Sequence, residues 1–157
     1  MSGFDIGELS GGGKAFPFES IGDTVKGQIS LIERRQQRSF DGGTPLTWDD
    51  GSPKMLTYVE IETDLNEGDD DDGVRALYLK GGKNFEVAEG KGHSGEVALV
   101  EAAKKANIKS IEVGSTLTVQ HSGLAKPTTR GYQPAKLYTM KLEAPKSSVS
   151  VDDFDLD

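Results

Sequence analysis

The chain of 157 residues has the size of a single domain, yet only 34% of it is hydrophobic and 20 positions are glycine, which excludes one core running through its whole length. It contains no cysteine, so disulfides, thiolate metal sites and cysteine nucleophiles are excluded. No apolar run approaches the roughly 20 residues of a membrane span, and no signal-peptide-like apolar segment opens the chain, so a cytoplasmic protein without a membrane partner is expected.

The formal net charge of −8 is unevenly distributed. Residues 66–73 (Glu67 and Asp69 to Asp72) carry −5 and residues 146–157 carry −3, while residues 74–145 carry +5. Local fields rather than the overall acidity therefore decide what the chain can bind.

Residues 1–19 are rich in Gly and Ser and read as a flexible arm, pinned by Phe16 and Phe18. From Val25 the pattern alternates. Val25, Ile29 and Leu31 share one face, Lys26, Gln28 and Ser30 the other, and Gly27 marks a bulge or bend. The run Ile32 to Arg38 prolongs this first strand as a polar ribbon. Asp41-Gly42-Gly43 and Asp49-Asp50-Gly51-Ser52-Pro53 are turn signals around Trp48. Met55 to Thr63 predicts a second strand with Met55, Thr57, Val59 and Ile61 facing inward and Leu56, Tyr58, Glu60 and Glu62 opposed. An acidic loop follows, read as solvated and self-repelling, then a third strand over Val74 to Lys80. A helix is predicted from Ser94, its N-cap, to Ala106, with Val97, Leu99, Val100 and Ala103 as the apolar face. Thr116 to His121 is the fourth strand, Gly123 to Pro134 a turn-rich loop, and Lys136 to Leu142 the fifth strand.

The order is β-β-β-α-β-β over residues 20–145, a mainly β domain. A five-stranded Greek-key barrel with one helix between strands three and four is the OB-fold, and a bend in the first strand helps such a small barrel to close. A five-stranded half-barrel or an open α+β sandwich fits the same order. Residues 146–157 read as a disordered acidic tail.

Catalysis is not expected. His93 and His121 have no ligand spacing and read as surface histidines, and four consecutive aspartates lack the spaced ligands of a calcium loop. Gly11-Gly12-Gly13-Lys14 has Glu8 where a phosphate loop needs its first glycine and Ala15 where it needs Ser or Thr. Gly81-Gly82-Lys83 has Leu77 and Asn84 at those positions. The chain is therefore read as not an enzyme, with no cofactor and no metal.

What remains is basic residues interleaved with aromatics, the chemistry that binds single-stranded nucleic acid through phosphate contacts and base stacking. Arg34, Arg35, Arg38 and Phe40 accompany Trp48 and Lys54. Tyr58 lies opposite the inward residues of the second strand. Tyr78, Lys80, Lys83 and Phe85 cluster in and after the third, with Arg75 on the other face from Tyr78. Lys126, Arg130, Tyr132 and Lys136 occupy the loop before the fifth strand, and Tyr138, sharing a face with Met140 and Leu142, reads as core. In an OB-fold, the face around strands two and three and the loops after strands one and four are the usual ligand surface. The bases would stack on Trp48, Tyr58, Tyr78, Phe85 and Tyr132, and the phosphates would meet Arg34, Arg35, Arg38, Lys80, Lys83, Arg130 and Lys136.

The tail Asp152, Asp153, Phe154, Asp155, Leu156, Asp157 alternates acid with large apolar residues after a Ser-rich linker. It suits docking of Phe154 and Leu156 into a partner's groove, or competition with nucleic acid for the chain's own basic groove.

The stretches Ile21-Gly22-Asp23-Thr24-Val25-Lys26-Gly27, Thr47-Trp48-Asp49-Asp50-Gly51-Ser52-Pro53, Val74 to Lys83 and Arg130-Gly131-Tyr132-Gln133-Pro134-Ala135-Lys136-Leu137-Tyr138 make residues 16–145 resemble bacteriophage-encoded single-stranded DNA-binding proteins of the OB-fold type. The resemblance implies coating of exposed DNA strands in replication, recombination or repair, in the host cytoplasm, with the acidic tail recruiting replication or repair proteins. A homo-oligomer is compatible with that role. The tail departs from the bacterial form, which ends in Pro-Phe, because Phe154 is internal here. The alternative is a phage structural or assembly protein that uses a β-barrel for protein contacts, and the acidic loop is the feature that favours it.

Overall fold

The computed structural model describes residues 14–39, 42–80, 86–127 and 134–145. They form a mainly β body: β1 (Lys14–Ala15), β2 (Thr24–Gln36), β3 (Met55–Glu62), β4 (Val74–Lys80), β5 (Val87–Gly90), α1 (Gly95–Lys105), β6 (Thr116–Ala125) and β7 (Lys136–Glu143). All seven strands join one curled sheet. Its path is β1-β4-β3-β2-β6-β5, and β7 pairs with β6. Every pairing is antiparallel except β1 with β4.

The five expected strands are all present, and the sheet gains two short ones. β1 arises from residues assigned to the flexible arm. Lys14 and Ala15 pair with Arg75 and Ala76, and the Phe16 amide donates to the Ala76 carbonyl at 3.3 Å. Phe18 then enters the core, edge-on to Phe16 at 4.7 Å and to Tyr138 at 5.2 Å. β5 forms because β6 continues past His121. A bulge at Ser122 lets Gly123 to Ala125 pair with β5 on one side while Gly123 and Leu124 pair with β7 on the other, so the predicted loop starts later than its glycine suggested.

β2 is the strand that curls the sheet. Its first part, Thr24 to Gln28, holds β6, and its second part, Gln28 to Gln36, holds β3. The bulge falls at Ser30 rather than at Gly27. Gly27 serves a different purpose. A Cβ there would run into the Glu62 carbonyl at the end of β3, so glycine permits the close approach where β2 changes partners.

The alternation then sorts side chains onto two faces. Val25 and Ile29 of β2, Val59 and Ile61 of β3, Leu77 and Leu79 of β4, Leu117 and Val119 of β6, and Met140 and Leu142 of β7 converge on one core. α1 covers it with Ala98, Leu99 and Ala102, together with Gly95. Of the expected apolar face, Leu99 is buried and Ala103 packs partly buried against the core, but Val100 is half exposed, and Gly95, Ala98 and Ala102 complete the inward side. The reason is distance, since a Cβ on Gly95 would already stand 2.9 Å from the Leu79 Cα. Asn107, at φ 59°, ends the helix in the left-handed region that Asn tolerates.

Two polar groups expected in solvent are buried. His121 lies inside β6, with Nδ1 3.1 Å from the Leu137 carbonyl oxygen. In the acidic loop, Asp71 is inward and only Asp69, Asp70 and Asp72 remain exposed.

Candidate nucleic-acid interface

The register of β2, β3 and β4 builds the site. On the face turned away from the core, Arg35, Leu56 and Lys80 stand in one cross-strand row. Glu33, Tyr58 and Tyr78 form the next, and Leu31, Glu60 and Ala76 the third. Neighbours in such rows and their diagonals are within reach of aromatic and long side chains. The rows make a small second apolar cluster of Leu56, Tyr58 and Ala76, flanked by Leu31. Beside it opens a groove of about 620 Å³ lined by Arg35, Gln36, Gln37, Arg38, Leu46, Leu56, Tyr78 and Lys80. Four sequence-nominated residues, Arg35, Arg38, Tyr78 and Lys80, therefore share one open concavity.

The two tyrosines have different roles. Tyr78 is 54% exposed and presents its ring to the groove, while Tyr58 is only 1% exposed. The Tyr58 ring meets Tyr78 edge-on at 5.1 Å and is covered by the Arg35 guanidinium, whose carbon lies 3.7 Å from its centroid. Its hydroxyl donates to Glu60 Oε2 at 2.6 Å. Burial, reinforced by the Glu60 carboxylate, pushes the Tyr58 phenol well above the usual range. The expectation that Tyr58 offers a free stacking surface is corrected: the second strand's outer face is roofed by Arg35 and Tyr78.

The loop between β2 and β3 is a built structure. Gln36 and Gln37 side-chain amides donate to the carbonyls of Leu46 and Met55 at 2.9 and 3.0 Å, and Arg38 donates to the Gly43 carbonyl at 2.7 Å. The Leu46 and Lys54 amides extend the ladder, to Gln37 and Leu46 at 2.8 and 3.0 Å. At the tip, Asp50 accepts from the Ser52 amide and hydroxyl and Gly51 adopts φ 90°, which turns the chain back beside Trp48. Trp48 stands 55% exposed with Lys54 Nζ 4.6 Å from its ring centroid. It is not on the groove wall, but Leu46 of the same loop is.

Arg34 and Lys136 are directed elsewhere. One residue from Arg35, Arg34 points to the opposite face, where it pairs with Glu96 of α1 at 3.5 Å; Glu96 also accepts from Thr57 at 2.7 Å. Lys136 donates to the Phe18 carbonyl and lines a separate hollow with Glu19, Glu89, His121 and Leu124. Lys83, Phe85, Arg130 and Tyr132 lie outside the described residues, as do Phe40 and the tail 152–157.

The acidic loop sits at the other end of β4 from Tyr78 and Lys80. Six residue steps of β4 run from Val74, where the loop ends, to Lys80, roughly 20 Å at ~3.3 Å per residue. Part of its charge is matched internally. Arg75 Nη1 and Nη2 donate to the two Asp71 oxygens at 2.9 and 2.7 Å, and Glu67 adds a third oxygen at 3.3 Å. Lys14 of β1 reaches Glu67 at 3.5 Å.

Sequence reasoning passed over four groove residues. Leu56 had a signal, being opposed to the core alternation beside Tyr58. Gln36 and Gln37 were visible only as part of a polar ribbon, and Leu46 had none, because its position depends on how the loop folds back. Among the described residues no cluster of metal-ligating side chains occurs, and no helix is long and apolar enough to cross a membrane. No protein-family model matches the chain, and neither does any curated protein or solved structure.

Proposed function

We propose that this chain is a non-catalytic, sequence-independent single-stranded DNA-binding protein built on an OB-fold core. In the phage type that its sequence resembles, it would coat exposed strands during replication, recombination or repair, with the acidic tail recruiting partner proteins. The observation that carries the reading is the half-exposed Tyr78 set beside Lys80, Arg35 and Arg38 in one open groove. A flat ring flanked by cations is what a base and its phosphates require. The groove lies on the second and third long strands and against the loop after the first, the usual OB ligand surface. The connectivity supports the same fold: the first long strand partners both the second and the fourth, and α1 falls between the third and fourth. The alternative of a protein-binding barrel drew on the acidic loop, but that loop joins the opposite end of β4 from Lys80, roughly 20 Å along the strand, and Asp71 within it is engaged by Arg75.

The test is a titration with oligo-dT followed by tryptophan fluorescence, at low and high salt. Trp48 is the sole tryptophan, so quenching reports on its loop directly. Saturable, salt-sensitive quenching is expected, with a log–log salt slope of about −0.7 per phosphate engaged. An absence of binding by fluorescence and by gel shift at low salt would overturn the proposal in favour of a protein partner.

A further inference from the structure

Arg35 differs from the other cations of the groove, and the difference concerns which part of the ligand it touches. Its Nε donates to Glu33, so its charge is already partnered. Its guanidinium carbon stands 3.7 Å from the Tyr58 ring centroid, which occupies one face of the plane. Tyr58 cannot easily yield, because it is buried to 1%, its hydroxyl is held by Glu60 and its edge is against Tyr78. The Arg35 side chain nonetheless remains 39% exposed. The side chain thus sets a flat, delocalised group against an aromatic ring while remaining partly open to solvent, with the Glu33 contact holding it. A guanidinium plane of this kind stacks on nucleobases, whereas an ammonium cannot. Lys80 provides the contrast: it is exposed at the end of the same cross-strand row and makes no ion pair among the described residues.

On the basis of the function proposed above, we infer that Arg35 is a base-stacking platform rather than a phosphate clamp, with Tyr58 as the positioning residue behind it and Tyr78 as the adjacent aromatic platform. Two neighbouring bases would rest on a guanidinium and a phenol ring, and the phosphates would meet Lys80 and Arg38. The groove then selects for unpaired bases, not merely for a polyanion.

The experiment compares Arg35→Lys with Lys104→Ala, on α1 away from the groove, in the full chain, after circular dichroism has shown both folded. Each is titrated with oligo-dT and with an abasic oligodeoxynucleotide of equal length. Arg35→Lys keeps the charge and removes the plane, so oligo-dT affinity should fall about tenfold, within the range that stacking contributes. Abasic affinity should stay within twofold, and Lys104→Ala should stay within twofold on both. As a second readout, Arg35→Gln should leave the oligo-dT salt slope unchanged, where loss of a phosphate contact would reduce it by about 0.7. The inference is overturned if Arg35→Lys binds oligo-dT like the wild type, if it loses affinity equally for both oligomers, or if Arg35→Gln reduces the slope. In each of these cases wild-type binding to oligo-dT leaves the proposed function standing; a wild-type chain that binds no oligo-dT removes both.

Discussion

Asp71 and Arg75 close a two-point ion pair across the start of β4, with side chains 2% and 1% exposed and hydrogen bonds of 2.9 and 2.7 Å. Asp71 also accepts from the Gly73 and Glu67 amides at 2.8 Å each. One carboxylate thus orders a loop whose composition suggests only repulsion. Asp69, Asp70 and Asp72 are exposed, and Asp72 accepts from the Val74 amide at 3.0 Å, so water screens the charges that Arg75 does not match.

This pair makes stability depend on acid. The Arg75 guanidinium, then the amides, hold the Asp71 carboxyl well below the usual carboxylate range. A group with a depressed folded pKa stabilises fully above its unfolded value, near 3.9, and that contribution fades as pH falls through the folded value. Thermal melts should therefore lose stability below about pH 4. Asp71→Asn, which leaves Arg75 buried without its counter-charge, should lower Tm by about 5–10 °C at pH 7 and flatten the acid limb. An unchanged acid limb would show that the pair is not the titrating element.

Tyr58 makes a matching prediction in base. Burial and the Glu60 carboxylate raise its phenol, and burial raises that of Tyr138. A raised folded pKa means stability that is complete below the unfolded value near 10 and is lost as pH rises beyond it. Ultraviolet titration of tyrosinate should show Tyr58 resisting ionisation until the sheet opens, and Tyr58→Phe should remove one late-titrating group from the curve.

Gly27→Ala tests the curl. The new Cβ would meet the Glu62 carbonyl, a backbone atom that moves only if β2 and β3 separate. Overpacking of this kind costs about 1–3 kcal/mol. Urea denaturation should show a reduced midpoint, while Gly22→Ala, where no atom lies within 4 Å of the added carbon, pays only for its positive φ of 110°.

For ligand binding, Tyr78→Ala should reduce oligo-dT affinity by roughly five- to hundredfold, corresponding to loss of one stacked base at about 1–3 kcal/mol. Lys104→Ala on the outer face of α1, where Lys104 meets only Glu101 at 3.9 Å among the described ion pairs, should leave affinity within twofold. Arg34→Gln should resemble Lys104→Ala, because Arg34 points away from the groove toward Glu96. Equal losses in all three, measured by anisotropy, would sever the link between the groove and binding.

The sequence by itself determined the five long strands, the helix α1 and their order, because period-two and helical alternation act within a few neighbours and survive without tertiary context. It also determined the two sides of β3, and so the placement of Tyr58 with Leu56 opposite Val59 and Ile61. It did not determine what lies on top of a face. Arg34 and Arg35 are adjacent in the chain and look equivalent, yet pleating sends one to α1 and the other onto Tyr58. Lys14 and Ala15 join the sheet only because the edge of β4 offers unpaired backbone. Gly95 turns toward the core because Leu79 leaves no room for a larger residue. Asp71 is buried because Arg75, four residues on, faces back toward it from a strand. Each of these outcomes depends on a contact between segments distant in sequence or on the exact register between strands, and local periodicity carries neither.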